Sequence, residues 1–181
     1  MSFETPATVD ELLNYRLASL LANSGAMTTR VCEGRYGITR REWRLIALLA
    51  DYGAMSPSVL AERAHLERAR ISRLVADLIA KKLVLKIPQP TDKRRASLDL
   101  TARGRKLHQE LFPQSVGFHQ MVVAVLTPKQ RAAFDEAMRL LDAHAQKVNE
   151  SDASDAKADR RHGGSRKANN RLGSGDVPVW R

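Results

Sequence analysis

The chain has 181 residues, of which 43% are hydrophobic, a formal net charge of +10 and a pI near 10.3. That length and apolar fraction suit about one globular domain with a real core. No apolar run approaches the roughly 18 residues that cross a bilayer, and the acidic, polar opening MSFETPATVDELL holds no apolar signal segment. These features exclude an integral membrane protein and make a cytoplasmic location the expectation. The single cysteine, Cys32, excludes an internal disulfide framework. Strong positive charge governs association and not fold, so it points outward to a polyanion, with nucleic acid and an anionic membrane surface both qualifying.

In chain order, residues from Val9 to about Glu33 read as a long first helix. Leu12, Leu13, Leu17, Leu20, Leu21, Met27 and Val31 form its apolar stripe, and Asp10 is its expected cap. This is more apolar surface than one small neighbour covers, and it fits either an oligomer contact or packing within one subunit. The Gly34-Arg35-Tyr36-Gly37 segment is expected to break the helix. Thr39 with Glu42 three residues later forms a capping box for a second helix carrying Trp43, Ile46, Leu49 and Ala50, which Asp51-Tyr52-Gly53 ends.

Ser56 is placed to cap a short helix with Pro57 at its first position, where the missing amide donor costs nothing. After the turn His65-Leu66-Glu67 comes the stretch that organises the chain, read as a helix from about Arg68 to Lys82. Ile71, Leu74, Val75, Leu78 and Ile79 give it one buried face. Arg70, Arg73 and Lys81 stand on the other among Ala69, Ser72, Ala76 and Ala80. Two helices joined by so short a turn, the second opening on arginines, make a helix-turn-helix. Basic side chains at the start of that helix reach phosphates or guanine edges, and small neighbours let it enter a major groove. A cationic helix face that is simply solvated is the plainer alternative.

Beyond Lys82 the period becomes two. Leu83–Ile87 and Ala96–Leu100 read as strands joined by an exposed basic loop over 88–95, a hairpin beside the helix-turn-helix that acts as a wing. Thr101 caps a further helix toward Leu126 that Pro113 should kink, and Thr127-Pro128 starts a last helix with Phe134, Ala137, Met138, Leu141 and Val148 in register. From Asn149 to Arg181 no apolar period remains, and this tail is expected to be disordered. It holds seven cations against five acids, so residues 1–148 keep +8 of the net charge. No internal repeat is visible.

This order of elements resembles the MarR family of winged-helix transcription regulators. The likeness is carried by Leu60-Ala61-Glu62-Arg63, Ile71-Ser72-Arg73-Leu74-Val75 with Leu78, Leu83-Val84, Asp92-Lys93-Arg94-Arg95 and Leu100-Thr101-Ala102-Arg103-Gly104, over roughly residues 10 to 148. The resemblance implies a mainly α fold with a small β-hairpin. Residues 1–148 would form a winged helix-turn-helix lobe, about 38–101, with N- and C-terminal dimerisation helices, followed by a basic tail over 149–181. It also implies a homodimer on a pseudo-palindromic operator in double-stranded DNA. Arg68, Ala69, Arg70, Ser72 and Arg73 would read the DNA, and Asp92, Lys93, Arg94 and Arg95 would form the wing tip, Asp92 orienting Arg94 into the minor groove.

Family members bind small aromatic anions in a crevice between the dimerisation helices and the lobe, which the resemblance would place near Asn14, Arg16, Met27, Trp43, His119 and Met121. Arginine would pair a carboxylate and Trp43 stack on a ring, although a Trp at helical spacing with Ile46 is more often a core residue, and Arg16 facing solvent is the plainer alternative. Nothing reads as catalytic: no Gly-rich phosphate loop, Gly-x-Ser-x-Gly elbow or zinc helix is present, and no cofactor is expected. Cys32, Glu33, Glu42 and His108 come nearest to a metal set. The His-x-x-x-His pair of zinc-binding family members is broken here by Phe112, so no metal is expected. Cys32 reads as a small buried residue, since no resolving cysteine exists. The expectation is therefore a repressor released by a small aromatic carboxylate. The alternative is a constitutive nucleic-acid-binding architectural protein without an effector.

Overall fold

The computed structural model describes residues 3–89 and 92–150, and of residues 89, 92–95, 149 and 150 the backbone alone. The chain divides into two compact units, 1–125 and 126–181. In the first, a 3-10 turn Val9–Glu11 precedes α1 (Leu13–Tyr36), α2 (Arg40–Tyr52), α3 (Pro57–Arg63), α4 (Arg68–Ala80), the hairpin β1 (Val84–Gln89) and β2 (Asp92–Leu100), and α5 (Ala102–Val123). In the second, α6 (Pro128–Glu150) is the described element.

The expected single helix from Val9 is thus divided. Leu12 is extended (φ −67°, ψ 137°), so Asp10 lies inside the short turn and not at the α1 N-terminus, and it does not cap α1. The end of α1 also falls later than expected. Gly34 is helical, and Gly37, in the left-handed region at φ 62°, ends the helix while Ile38 N–H donates to the Cys32 carbonyl. α2 starts as its sequence dictates: Glu42 N–H donates to Thr39 Oγ1 (3.1 Å) and Thr39 N–H to Glu42 Oε2 (2.6 Å). Ser56 Oγ accepts from Val59 N–H (3.3 Å) with Pro57 at the first position of α3. α5 continues through Pro113.

The hairpin is longer than its alternating pattern suggested, and much of the expected 88–95 loop is strand. Pro88 pairs with Ala96 and Gln89 with Asp92, so the ladder slips there and residues 93–95 stand outside the pairing. Proline is tolerated there because β1 is an edge strand. Met55, just before α3, adds a short bridge by exchanging both backbone bonds with Leu98 (3.1 and 2.8 Å).

One core fills this unit. Leu45, Ile46 and Leu49 of α2, Leu60 of α3, Ile71 and Leu78 of α4, Leu98 of β2 and Leu111 of α5 are all fully enclosed. Burying such side chains, at about 1.5–3 kcal/mol each, holds α3, α4 and β2 against α2 and α5. The joint between α4 and α5 is especially close. Thr101 Oγ1 donates to the Lys82 carbonyl (2.7 Å) and accepts from Gly104 N–H (3.0 Å), and a Cβ on Gly104 would collide with the Leu83 carbonyl. The Leu-Thr-x-x-Gly run is therefore a clasp.

Candidate nucleic-acid interface

The geometry of the helix-turn-helix begins with the end of α3. His65 occupies the left-handed region (φ 52°), its N–H donates to the Glu62 carbonyl, and Leu66 N–H donates to the Ala61 carbonyl, both at 3.0 Å. This is a Schellman end built without glycine. From α2, Arg44 Nη1 donates to the Ala64 carbonyl (3.1 Å), tying the turn to the scaffold. Burial, together with neighbouring Arg40 and Arg41, lowers the Arg44 pKa from its ordinary value. Arg63 lies over the Tyr52 ring, 4.1 Å from its centroid. Sequence reasoning gave neither arginine this anchoring role, because both act on residues distant along the chain.

α4 then starts at Arg68. Its N-cap residue, Glu67, makes no side-chain capping bond, so its first-turn amides keep their capacity for an external anion. Ile71, Val75 and Leu78 are buried, whereas Arg68, Ala69, Arg70, Ser72 and Arg73 are all exposed. Among the described residues no carboxylate pairs with Arg68, Arg70 or Arg73. The result is a 13-residue helix whose exposed leading turns carry three unpaired cations between small side chains. Asp77, one turn beyond Arg73, is the acid on this exposed side.

Lys81 departs from the expectation of an outward cation. Its Nζ is 2.7 and 2.9 Å from the two carboxylate oxygens of Glu42, which is 1% exposed. Lys81 therefore neutralises an internal acid and does not belong to the outward cationic face. The hairpin follows α4 directly, and its slipped segment 93–95 is the basic run of the wing. The side chains of Asp92, Lys93, Arg94 and Arg95, like the tail after Glu150, lie outside the described residues.

The six effector candidates are not gathered as neatly. Asn14, Arg16, Met27, His119 and Met121 are exposed, and the Arg16 guanidinium lies 4.2 Å over the Phe3 ring. Trp43 is 7% exposed and stacks on His108 (5.5 Å between centroids), which stacks in turn on Phe112 (5.2 Å). One face of Trp43 is thus already taken. His108 Nε2 is buried in that stack without a hydrogen-bond partner among the described residues. Of the expected metal-type residues, Cys32 is fully enclosed with its thiol pKa pushed up to about 11, chiefly by burial. Glu42 spends its carboxylate on Thr39 and Lys81. Among the described residues no three metal-ligating side chains converge, and no helix is long and apolar enough to cross a membrane.

Comparison with known proteins agrees with this architecture. Residues 36–95 match the model of the MarR family. The fold matches BpsR of Bordetella bronchiseptica, whose DNA binding is regulated by 6-hydroxynicotinic acid, at TM-score 0.68 and 22% identity, covering 76% of this chain and 98% of that one. It matches a MarR/EmrR family transcriptional regulator from Acinetobacter sp. ADP1 at 0.69 and 21%, covering 79% and 99%. It matches NadR, solved in complex with 4-hydroxyphenylacetate, at 0.62 and 25%, covering 76% and 97%. No curated protein matches the chain. The segment 36–95 thus matches the MarR family, and the six helices and antiparallel hairpin that contain it have the winged-helix fold of these regulators.

Proposed function

We propose that the chain works in the cytoplasm as a homodimeric, sequence-specific repressor on a pseudo-palindromic operator, released by a small aromatic carboxylate. The observation that carries the DNA reading is the leading face of α4, where Arg68, Arg70 and Arg73 are exposed and, among the described residues, unpaired beside Ala69 and Ser72. Cations left without partners on a helix held rigidly by its buried face suit phosphate and base-edge contacts. Asp92, Lys93, Arg94 and Arg95 add the wing contact, with Asp92 as the brace of Arg94, and the basic tail over 149–181 adds affinity without specifying sequence.

Dimerisation is supported by apolar side chains left in the open on the outer helices. Leu20 and Leu21 of α1 are 47% and 50% exposed, and Leu140 of α6 is 65% exposed. Such stripes call for a partner, and a second copy would set two recognition helices about 34 Å apart, one turn of DNA. The effector reading draws on the ligands named for two fold relatives, 6-hydroxynicotinic acid and 4-hydroxyphenylacetate. Here Arg16 would pair the carboxylate beside Asn14 and Met27, with His119 and Met121 from α5. Trp43 would contribute through the face that His108 leaves open.

Selection of bound duplexes from random DNA tests the central claim. A sharp palindromic consensus is expected, and Arg70→Ala and Arg73→Ala should each cost about 1–3 kcal/mol and relax preference at one base pair per half-site. Diffuse coverage with no consensus would instead support a constitutive architectural protein. Release of the selected duplex by pyridine carboxylates or hydroxyphenylacetates, with no such effect in Arg16→Ala, would support the effector assignment.

A further inference from the structure

At the opposite end of α4 from the exposed arginines, about 12–20 Å along the helix axis, lies a cavity of about 320 Å³. It opens where three chain segments meet: the end of α1, the turn from α4 into β1, and the first turns of α5. Tyr36, Lys81, Lys82, Leu83, Arg103 and Leu107 are among the residues lining it. We propose that this cavity binds a small dianion, a chemistry shared by phosphate monoesters and compact dicarboxylates. The assignment goes beyond the DNA reading and does not depend on it.

Charge is the first argument. Three cationic residues line one small cavity, and the acid among their partners is Glu42, which is committed to Lys81 at 2.7 Å. Among the described residues Lys82 and Arg103 have no ion-pair partner. Nearby Arg105 differs, since Asp99 holds it at 2.8 Å. Two uncompensated cations at one concave site favour a ligand carrying two negative charges, because a monoanion would leave one repelling charge in place.

Backbone geometry is the second. α4 ends in a Schellman turn, with Lys82 N–H donating to the Ile79 carbonyl and Leu83 N–H to the Leu78 carbonyl, both at 2.9 Å. The residue in the left-handed position of that turn is Lys82, at φ 58°, where glycine is the unstrained choice. A lysine held there against its backbone preference, at the wall of a cavity, is what a binding role for its side chain would require.

Rigidity is the third. Thr101 Oγ1 fixes the Lys82 carbonyl at 2.7 Å, and Gly104 brings the first turn of α5 against the Leu83 carbonyl. Lys82 and Arg103 thus stand on two walls that are clasped together, which lowers the ordering cost of binding. The volume is at the small end of ligand sites, about 300 Å³, and so suits a compact molecule.

The test is calorimetric titration of the full chain with inorganic phosphate and, separately, with phthalate, at ionic strength held constant with sodium chloride. Saturable binding of one anion per chain is expected for at least one probe. Phosphate preference assigns the phosphoryl source and phthalate preference the dicarboxylate source. Lys82→Gly should raise the melting temperature of the unliganded protein by relieving the turn, which shows that it folds, yet weaken anion binding at least tenfold. Arg103→Ala should weaken it similarly, whereas Lys147→Ala, the same loss of charge at a residue outside the cavity lining, should bind both anions as the native chain does. The proposal is overturned if neither probe gives heat above the chloride control, or if Lys82→Gly and Arg103→Ala bind as tightly as the native chain.

Discussion

Lys81 Nζ stands 2.7 Å from Glu42 Oε1, joining the C-cap of α4 to the first turn of α2 across 39 positions of sequence. The same carboxylate accepts the Thr39 amide at 2.6 Å, so one buried acid closes the α2 capping box and anchors the end of α4. A charge this enclosed is tolerable only when paired and hydrogen-bonded.

Removing the lysine should therefore cost stability. Lys81→Met leaves the Glu42 carboxylate with its capping bond but no counter-charge, and because the Lys81 side chain is 37% exposed water can replace part of the interaction. The expected loss is about 1–3 kcal/mol, read by urea denaturation. Adding Glu42→Gln, which keeps the amide acceptor and removes the buried charge, should recover part of the loss. Stability unchanged in Lys81→Met would mean the pair is not an anchor.

Gly104 gives a test of the clasp. A Cβ there meets the Leu83 carbonyl, a backbone atom that cannot rotate away. Gly104→Ala should destabilise by about 1–3 kcal/mol through overpacking, despite alanine's better helix propensity. An equal substitution at Gly117, where a Cβ meets nothing within 4 Å, should stabilise by up to about 1 kcal/mol. If the two substitutions behave alike, the close approach is not what places glycine at 104.

Local signals were the legible ones. Thr39 with Glu42, Ser56 with Pro57, and Thr101 each announce a helix start within a few residues, and all three are observed. The buried face of α4 was legible from spacing for the same reason. Features that depend on distant partners were not. Lys81 looks in sequence like any outward cation, and only folding brings it to Glu42. The Met55 bridge to Leu98 and the stacking of Trp43 on His108 likewise pair residues whose meeting no local pattern encodes. The extended Leu12 that splits the first helix sits within an unbroken apolar stripe, where periodicity cannot distinguish a helix from a turn feeding one. For the site, spacing identified which residues of α4 face outward, but whether an outward cation is free or paired is decided by the tertiary structure.

Cys32 links burial to pH. Desolvation, then the nearby Glu33 charge, raises its thiol pKa to about 11, with Arg40 opposing. An unfolded thiol ionises near about 8.5, so between these values the unfolded chain loses a proton that the folded chain keeps. The unfolded state then binds fewer protons, and stability falls as pH rises through this window. Cys32→Ala should show a shallower decline over the same range, whatever its cost at neutral pH. Native protein should react slowly with a thiol reagent at mildly alkaline pH and fully once unfolded. Rapid reaction in the native state would contradict the enclosure of this side chain.

The wing is tested most sharply by a sign. The α4–β1–β2 order brings Asp92 and Arg94 to the slipped end of the hairpin, and in the function proposed above Asp92 braces Arg94 for minor-groove entry. Replacing Asp92 with alanine raises the net charge by one, which simple electrostatics predicts should tighten binding to a polyanion at low salt. If the acid orients the arginine, Asp92→Ala should weaken operator binding, and Arg94→Ala should weaken it further. The Arg94→Ala change should also lower the logarithmic salt slope by about 0.9, because one cation no longer displaces counterions from the phosphates. Once Arg94 is already alanine, removing Asp92 should no longer weaken binding, since nothing remains to brace. A gain in affinity for Asp92→Ala alone, at every salt concentration, would instead make the wing tip a diffuse cationic surface and remove the brace from the mechanism.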